Sequence, residues 1–328
     1  MRPSAHRDVF FAGVLVLGAA FGSGARALDA FPTSAVRIFV PTAPGGSADA
    51  VPRILAEALS TAWGKPVLVE NVTGAGGNIG AEHFSRAVAD GHVLMASPPN
   101  SLAINQSLYK KISYDPKTFV PITVLGSAPN ILIVSPKLGV ASISELIAKA
   151  KANPGTISYA SQGPGSTGHL TGAMLEMMAG IKLNHIPYRG TGPAMNDLLG
   201  GHVGMMFDPA LGASLPQHRA GALKIIAICA DERVPVLPDV PTMSESALPG
   251  FLSMSWFALV APPGTPANVV IKINTDVAAA LKLQEVYDKI VRLGVGPIGN
   301  SPKEAAAFIE RERNRWSNVI DQAKIQIE

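Results

Sequence analysis

Short apolar runs that alternate with helix-like stretches constrain the fold of this chain more than any other feature. Seven runs rich in β-forming residues are "AVRIFVPT", "PVLVENV", "HVLMAS", "NILIVSP", "TISYAS", "VGMMFDP" and "LKIIAICA". The stretches between them, such as "ADAVPRILAEALSTA" and "SISELIAKAKAN", space their apolar residues three and four apart, as amphipathic helices do. Strands buried on both faces and joined by helices predict an α/β fold with mostly parallel sheets.

Two long extended segments indicate that the chain is divided into two lobes. Residues 119–136 and 251–264 are rich in β-forming residues, are punctuated by Pro or Gly, and suit paired strands that cross between lobes. Only helical sequence follows the second segment, and its last helix has a Ser301 cap before Pro302. We therefore predict that lobe I comprises residues 28–128 and 256–328, and that lobe II comprises residues 129–255.

The N-terminus has the pattern of a secretory leader. A basic start, an apolar stretch from Val9 to Phe21 and the small-residue site Ala25–Arg26–Ala27 predict a signal peptide over residues 1–27, and hence export. The single cysteine, Cys229, excludes a disulfide within the chain and is interpreted as a buried apolar residue. A net charge of only +3, without a basic stripe, argues against a nucleic-acid partner.

Glycine-rich turns connect strand to helix at three places. They lie in "VPTAPGGSADAVPR" (40–53), "ENVTGAGGNIGAEHF" (70–84) and "SYASQGPGSTGHLTGAM" (158–174). Pro52 favours Ser47 or Asp49 as the cap of the first helix, because proline fits best in the first helical turn. The second helix is expected to begin near Asn78, and the third near Ser166.

Such turns can bind an anion without any cationic side chain. Glycine lets the backbone approach a ligand closely, and the first N–H groups of a helix are unpaired at the positive end of its dipole. Open α/β sheets bind their ligands at the carboxyl ends of parallel strands, which is where these turns lie. The sequence therefore predicts a small carboxylate ligand held between the two lobes.

The sequence signatures of dinucleotide-binding, metal-binding and hydrolytic proteins are incomplete or weak in this chain. Gly74, Gly76 and Gly80 resemble a dinucleotide fingerprint, but Ile79 occupies the position of its third glycine. The histidines lack metal-ligand spacing, so neither a metal nor a cofactor is expected. An exported hydrolase that uses Ser166 and His169 is a second hypothesis, based only on their closeness in the sequence.

Taken together, the motifs resemble those of a known receptor family. The segments "VPTAPGGSADAVPR", "VLVENVTGAGGNIGAE", "ISYASQGPGSTGHLTGAMLEMMAG" and "NHIPYRGTGPAMNDLLGGHVGMMFDP" are similar to successive motifs of the tripartite tricarboxylate transporter receptors, the Bug family. The resemblance implies a periplasmic binding protein of the type II, Venus-flytrap fold with a mixed, mostly parallel sheet in each lobe. It also implies that the protein delivers a di- or tricarboxylate, an acidic amino acid or an aromatic acid to an integral-membrane permease. Delivery to a sensor kinase is the alternative.

The resemblance also implies which residues bind the ligand. Position by position, it carries over the first-lobe residues Ala43, Gly45, Gly46 and Ser47, and the second-lobe residues Ser161, Gly165, Ser166, Thr167 and His169. Tyr188 and Asp208 end strands in matching motifs and are expected near the far end of the ligand. Alternatively, His169 only caps or packs within its helix. Asp208 would repel an anion unless it is protonated or faces an amino group.

Overall fold

The computed structural model describes residues 31–209 and 211–327. The fold described below is that of the compact unit Pro32–Glu328. The predicted signal peptide lies outside the described residues.

Eleven strands occur in the described part of the chain, and all seven predicted apolar runs contain one of them. The strands are β1 Val36–Val40, β2 Val67–Asn71, β3 Val93–Ser97, β4 Val120–Pro129, β5 Ile131–Val134, β6 Ser158–Ser161, β7 Asn184–Pro187, β8 Met205–Asp208, β9 Lys224–Ile228, β10 Met254–Ala261 and β11 Gly296–Pro297.

Eleven α-helices occur in the same part of the chain. They are α1 Ser47–Trp63, α2 Asn78–Ser85, α3 Asn105–Leu108, α4 Ile143–Ala152, α5 Thr167–Ala179, α6 Thr191–Gly200, α7 Leu211–Arg219, α8 Met243–Ser246, α9 Ala267–Leu281, α10 Gln284–Arg292 and α11 Pro302–Ala323. The predicted starts of α2 and α5 are confirmed, and Ser301 caps α11 as expected, where it forms a capping box with Glu304. None of the described helices is both long enough and apolar enough to cross a membrane.

The strands form two mixed sheets, which belong to a two-lobed fold. The first sheet has the strand order β11-β4-β10-β3-β1-β2, and the second has the order β7-β6-β8-β5-β9. The prediction of mostly parallel pairing is wrong, because only four of the nine strand pairings are parallel. The strands next to the two crossings between the sheets cause this difference. In the first sheet β10 runs antiparallel to β3 and β4, and in the second sheet β5 runs antiparallel to β8 and β9.

The chain crosses between the sheets twice, and the two crossings are hydrogen-bonded to each other. After β4 the chain enters the second sheet at Asn130, whose N–H donates to Ser253 O at 2.9 Å just before β10. Cys229, which follows β9, joins both crossings: its N–H donates to Asn130 O, and its carbonyl accepts from Ser253 N, each at 2.8 Å. The Asn130 Nδ2 also donates to Ser253 Oγ at 2.8 Å. The crossings therefore form a single buried polar junction.

Each sheet packs against helices around its own apolar core. Trp256, Trp316 and Phe84 are fully buried in the core beside the first sheet, and Tyr159 and Phe207 are fully buried in the core beside the second. The first core also includes Leu170 of α5, a helix that follows a strand of the second sheet. Because α5 packs on α11 in this way, its N-terminus is held close to residues of the first lobe.

Candidate functional site

The first glycine turn ends in a helix with a bare N-terminus. The residue at the N-cap of α1 is Gly46, which has no side-chain cap, and the preceding Gly45 has a φ of 96°. The N–H groups of Ser47 and Ala48 belong to the first turn of α1 and have no partner within the helix. The turn therefore presents free backbone donors at the positive end of a 17-residue helix.

The predicted cap of this helix is wrong. The helix begins at Ser47, so that Pro52 is its sixth residue and lies beyond the first turn. Asp49 is not the cap. It is 5 % exposed, and it accepts hydrogen bonds from Gly45 N at 3.2 Å, from Asn71 Nδ2 at 2.8 Å and from Arg53 Nε at 3.0 Å. A buried carboxylate in the first turn of α1 was not predicted, and it accepts from the N–H of Gly45, a residue predicted to bind the ligand.

The Asp49 network holds the first turn in place. Asn71 joins Asp49 to the turn by donating to Thr42 O at 3.0 Å. Burial alone would raise the pKa of Asp49, but hydrogen bonds from Arg53, Asn71 and Gly45 outweigh burial and hold its pKa below the ordinary value. The Arg53 charge is paired with Asp49 and is therefore committed to the loop rather than to a ligand.

Asp49→Asn is expected to lower the free energy of unfolding by about 1 to 3 kcal/mol at pH 7, because buried donors lose a charged acceptor. The depressed pKa means that Asp49 stabilises the fold fully above about pH 4, and that this contribution is lost as the pH falls through the lower folded-state value. In urea unfolding between pH 3 and 7, the free energy of unfolding should therefore fall less steeply toward acid pH for the variant than for wild type. Asp231→Asn, at an exposed position, is the control; identical pH profiles for wild type and Asp49→Asn would contradict this role.

The second-lobe turn uses its hydroxyl groups internally. Ser166 caps α5 by accepting from His169 N at 3.3 Å, and its Oγ donates to Gly163 O at 2.7 Å. Thr167 Oγ1 donates to Asn130 Oδ1 at 3.3 Å in the crossing junction. A hydrolytic Ser–His pair would require the Ser166 hydroxyl to donate to the His169 ring. The hydroxyl instead donates to Gly163 O.

His169 and Ser161 lie at the back of the same turn. The His169 Nδ1 accepts from Gly165 N at 3.2 Å, and the Ser161 Oγ lies 2.7 Å from His185 Nε2. The two imidazole rings stack with centroids 4.1 Å apart and planes 12° apart. His185 was not predicted, because it lies 16 residues away from His169 on another strand. A cavity of about 580 Å³ lies beside these rings and along α5.

The two residues predicted near the far end of the ligand make contacts within the second lobe. The Tyr188 OH donates to Asp197 Oδ2 of α6 at 2.6 Å, and burial together with that carboxylate raises the pKa of Tyr188 to about 12. Asp208 is buried at the end of β8 and is hydrogen-bonded to Ser214 Oγ of α7. Both side chains therefore connect the ends of second-sheet strands to the neighbouring helices α6 and α7.

A fourth glycine turn was missed. Gly190, with a φ of 113°, is the N-cap of α6 and has no side-chain cap, so α6 begins with unpaired N–H groups as α1 does. Its segment "HIPYRGTGPAM" follows the same order of strand, glycine and helix as the three predicted turns, and the pattern could have identified it. β7 is only four residues long and poor in apolar residues, which is why it was overlooked.

The glycine turns before α1 and α6 lie next to each other. A Cβ built on Gly46 would lie 3.9 Å from Thr191 Oγ1, and one built on Gly190 would lie 3.9 Å from Ala43 Cβ. On the other side, Asn100 Nδ2 of the first lobe donates to Gly165 O at 2.9 Å. The N-terminus of α1 therefore lies next to that of α6, and the turn before α5 contacts the first lobe at Asn100. Among residues 31–209 and 211–327, no three His, Cys, Asp or Glu side chains are placed to share a metal ion.

Comparisons with known proteins agree on one family. The sequence model described as "Tripartite tricarboxylate transporter family receptor" matches residues 51–325. Protein BugT of Bordetella pertussis is 36 % identical over 294 residues, which cover 89 % of this chain and 90 % of BugT.

Solved structures show the same relationship. A protein of R. palustris solved with adipate has a TM-score of 0.86 and 35 % identity, covering 90 % of this chain and 99 % of that one. MatC from Rhodopseudomonas palustris, solved with bound malate, has a TM-score of 0.82 and 32 % identity, covering 88 % of this chain and all (100 %) of the other.

Proposed function

Because the chain belongs to the tripartite tricarboxylate transporter receptor family, we propose that it captures a small organic carboxylate between its two lobes and delivers it to a membrane permease of that transporter type. The family is one of periplasmic substrate-binding receptors. We propose that residues 1–27 direct export and are removed, and that the lobes are residues 28–128 with 256–328, and residues 129–255.

One observation carries the proposal of a carboxylate ligand: free backbone donors face the other lobe at the N-terminus of α1. Ser47 and Ala48 begin a long helix whose N-cap, Gly46, lies next to Thr191. Oriented N–H groups and the helix dipole stabilise a negative charge there. The nearby Arg53 is paired with Asp49, so backbone dipoles are the main attraction that this turn offers an anion.

The arrangement of the turns favours a ligand with two polar ends. A carboxylate bound at Gly46 and Ser47 of lobe I would direct its other end toward the turns of lobe II, at Gly165 to Thr167 and at Gly190. Two relatives were solved with adipate and with malate, which are both dicarboxylates. We therefore propose a dicarboxylate of four to about six carbons as the ligand class to test first.

A ligand panel tests this function. We expect malate, adipate, citrate or glutamate to raise the melting temperature by several degrees, because a ligand at 100 times its Kd adds about 2.7 kcal/mol of stability. Isothermal titration should then give the Kd of the best acid. The matched controls are the neutral diamides of the same acids, which keep the length but lose the charges. Stabilisation by the diamides or by sugars, with no response to any acid, would contradict the proposal.

A further inference from the structure

Two stacked histidines lie directly behind the second-lobe turn and have no part in the carboxylate capture proposed above. His169 is the third residue of α5 and His185 is the second residue of β7. The His185 ring is stacked against His169 at a centroid distance of 4.1 Å and against Tyr159 at 4.8 Å. These two ring contacts restrict the position of the His185 imidazole.

The first imidazole accepts a backbone hydrogen bond from the turn. Gly165 N donates to His169 Nδ1 at 3.2 Å, so that nitrogen carries a lone pair and the proton of the neutral ring is on Nε2. Gly165 has a φ of 74°, and its carbonyl accepts from Asn100 of the other lobe at 2.9 Å. The His169 ring therefore holds the Pro164–Gly165 peptide, which precedes the carbonyl that contacts the first lobe.

The second imidazole holds the other end of the same turn. His185 Nε2 lies 2.7 Å from Ser161 Oγ, and that hydroxyl accepts from Gly163 N and donates to Gly163 O, each at 3.2 Å. The two imidazoles thus act on the turn at Ser161, where β6 ends, and at Gly165, just before α5.

We infer that His169 and His185 form a positioning pair, which sets the backbone of the 161–165 turn for ligand binding and which works only while His169 is neutral. This inference rests on the proposed carboxylate-binding function. It assigns His169 to shaping the site from behind rather than to contacting the ligand.

The chemistry of the pair makes it sensitive to protonation. A protonated His169 has a hydrogen on both ring nitrogens, so Gly165 N would lose its acceptor, and two stacked imidazolium rings would repel each other. Burial lowers the pKa of His169 to about 4, and burial, followed by the neighbouring His169, lowers that of His185 to about 3. The charged residues that line the cavity beside the rings are Lys151 of α4, Glu176 of α5 and Lys182 after α5.

The sign of the acid effect follows from these values. Unfolding frees both rings to take up protons near their ordinary pKa of 6.5, so the stability contributed by the pair falls as the pH drops below about 6.5 and levels off near the folded values. The turn itself loses its Gly165 hydrogen bond only near pH 4. At neutral pH the pair is fully effective.

Paired substitutions distinguish the loss of the hydrogen-bonding group from the loss of the ring's volume. His169→Asn can place an amide oxygen near the Nδ1 position, whereas His169→Leu cannot accept a hydrogen bond. For the carboxylate with the lowest Kd in the panel, we expect His169→Leu and His185→Leu to raise the Kd about 10- to 100-fold, since a buried polar group loses its partner. We expect His169→Asn and His185→Gln to stay within about 3-fold of wild type. His202→Leu, at an exposed position, is the control and should leave the Kd unchanged.

A spectroscopic measurement on the unliganded protein tests the same contact without depending on a ligand. In ¹⁵N-labelled protein, a scalar coupling across the hydrogen bond should join the Gly165 amide nitrogen to His169 Nδ1 at pH 7, and it should vanish below about pH 4. Absence of this coupling at pH 7, or Leu variants that bind as tightly as wild type, would overturn the inference. A wild type that binds no carboxylate contradicts the proposed function, and the coupling then still decides whether the pair positions the turn.

Discussion

Gly80→Ala is expected to lower the free energy of unfolding by about 2 to 4 kcal/mol, because the new methyl group has no space. A Cβ at this position would lie 2.4 Å from the carbonyl oxygen of Val72 and 3.1 Å from Pro41 Cβ. The first of these atoms is backbone and cannot move aside by changing a rotamer. The first turn of α2 therefore lies directly on the loops that follow β1 and β2, and only glycine allows this approach.

Gly192→Ala is the matched control, because it is also a helical glycine but has no heavy atom within 4 Å of a built Cβ. Alanine in an open helical position is expected to leave stability unchanged or to raise it by up to about 1 kcal/mol. Urea unfolding curves with equal slopes would give both values. A Gly80→Ala protein within about 0.5 kcal/mol of wild type would show that α2 does not pack as closely as described.

Gly165→Ala is expected to weaken carboxylate binding about 10- to 100-fold, equivalent to about 1.4 to 2.8 kcal/mol. Its Cβ would lie 2.7 Å from Leu108 Cδ2 and 3.4 Å from Asn105 Oδ1, which both belong to the first lobe. The methyl group would push the second-lobe turn away from the first lobe at the side of the cleft where Asn100 holds Gly165 O.

Gly155→Ala separates this clash from backbone strain. Gly155 has a φ of 75°, almost the same as that of Gly165, but no heavy atom lies within 4 Å of its built Cβ. Both variants should lose about 1 to 2 kcal/mol of stability from left-handed backbone, whereas only Gly165→Ala should raise the Kd in isothermal titration. Equal affinities of the two variants would show that contact between the lobes at Gly165 does not contribute to binding.

Local sequence patterns were sufficient to predict most elements of the fold. The apolar runs identified seven strands, and the cap residues Ser166 and Ser301 marked the starts of α5 and α11, because caps and periodicity depend on neighbouring residues. Strand direction was predicted less well. The antiparallel pairing of β10 with β3 and β4 depends on how the chain crosses between sheets, which no local pattern records.

The candidate site was predictable as a set of turns but not as a set of contacts. Glycine patterns indicated where the turns lie, and the fourth turn at Gly190 follows the same pattern. Contacts between residues far apart in the sequence could not be predicted from local patterns. Asn71 and Asp49 are 22 residues apart, and Ser161 and His185 are 24 apart. Both pairs shape the turns from behind, so their role became clear only from the folded arrangement.

The junction between the crossings contains the only thiol in the sequence. Cys229 is fully buried there, and burial raises the pKa of its thiol, so an alkylating reagent cannot reach it while the junction is intact. Alkylation must wait until the junction separates. The rate at which the Cys229 thiol is alkylated therefore reports how often the junction between the lobes opens. Comparing this rate with and without a bound carboxylate measures how far the ligand slows the opening.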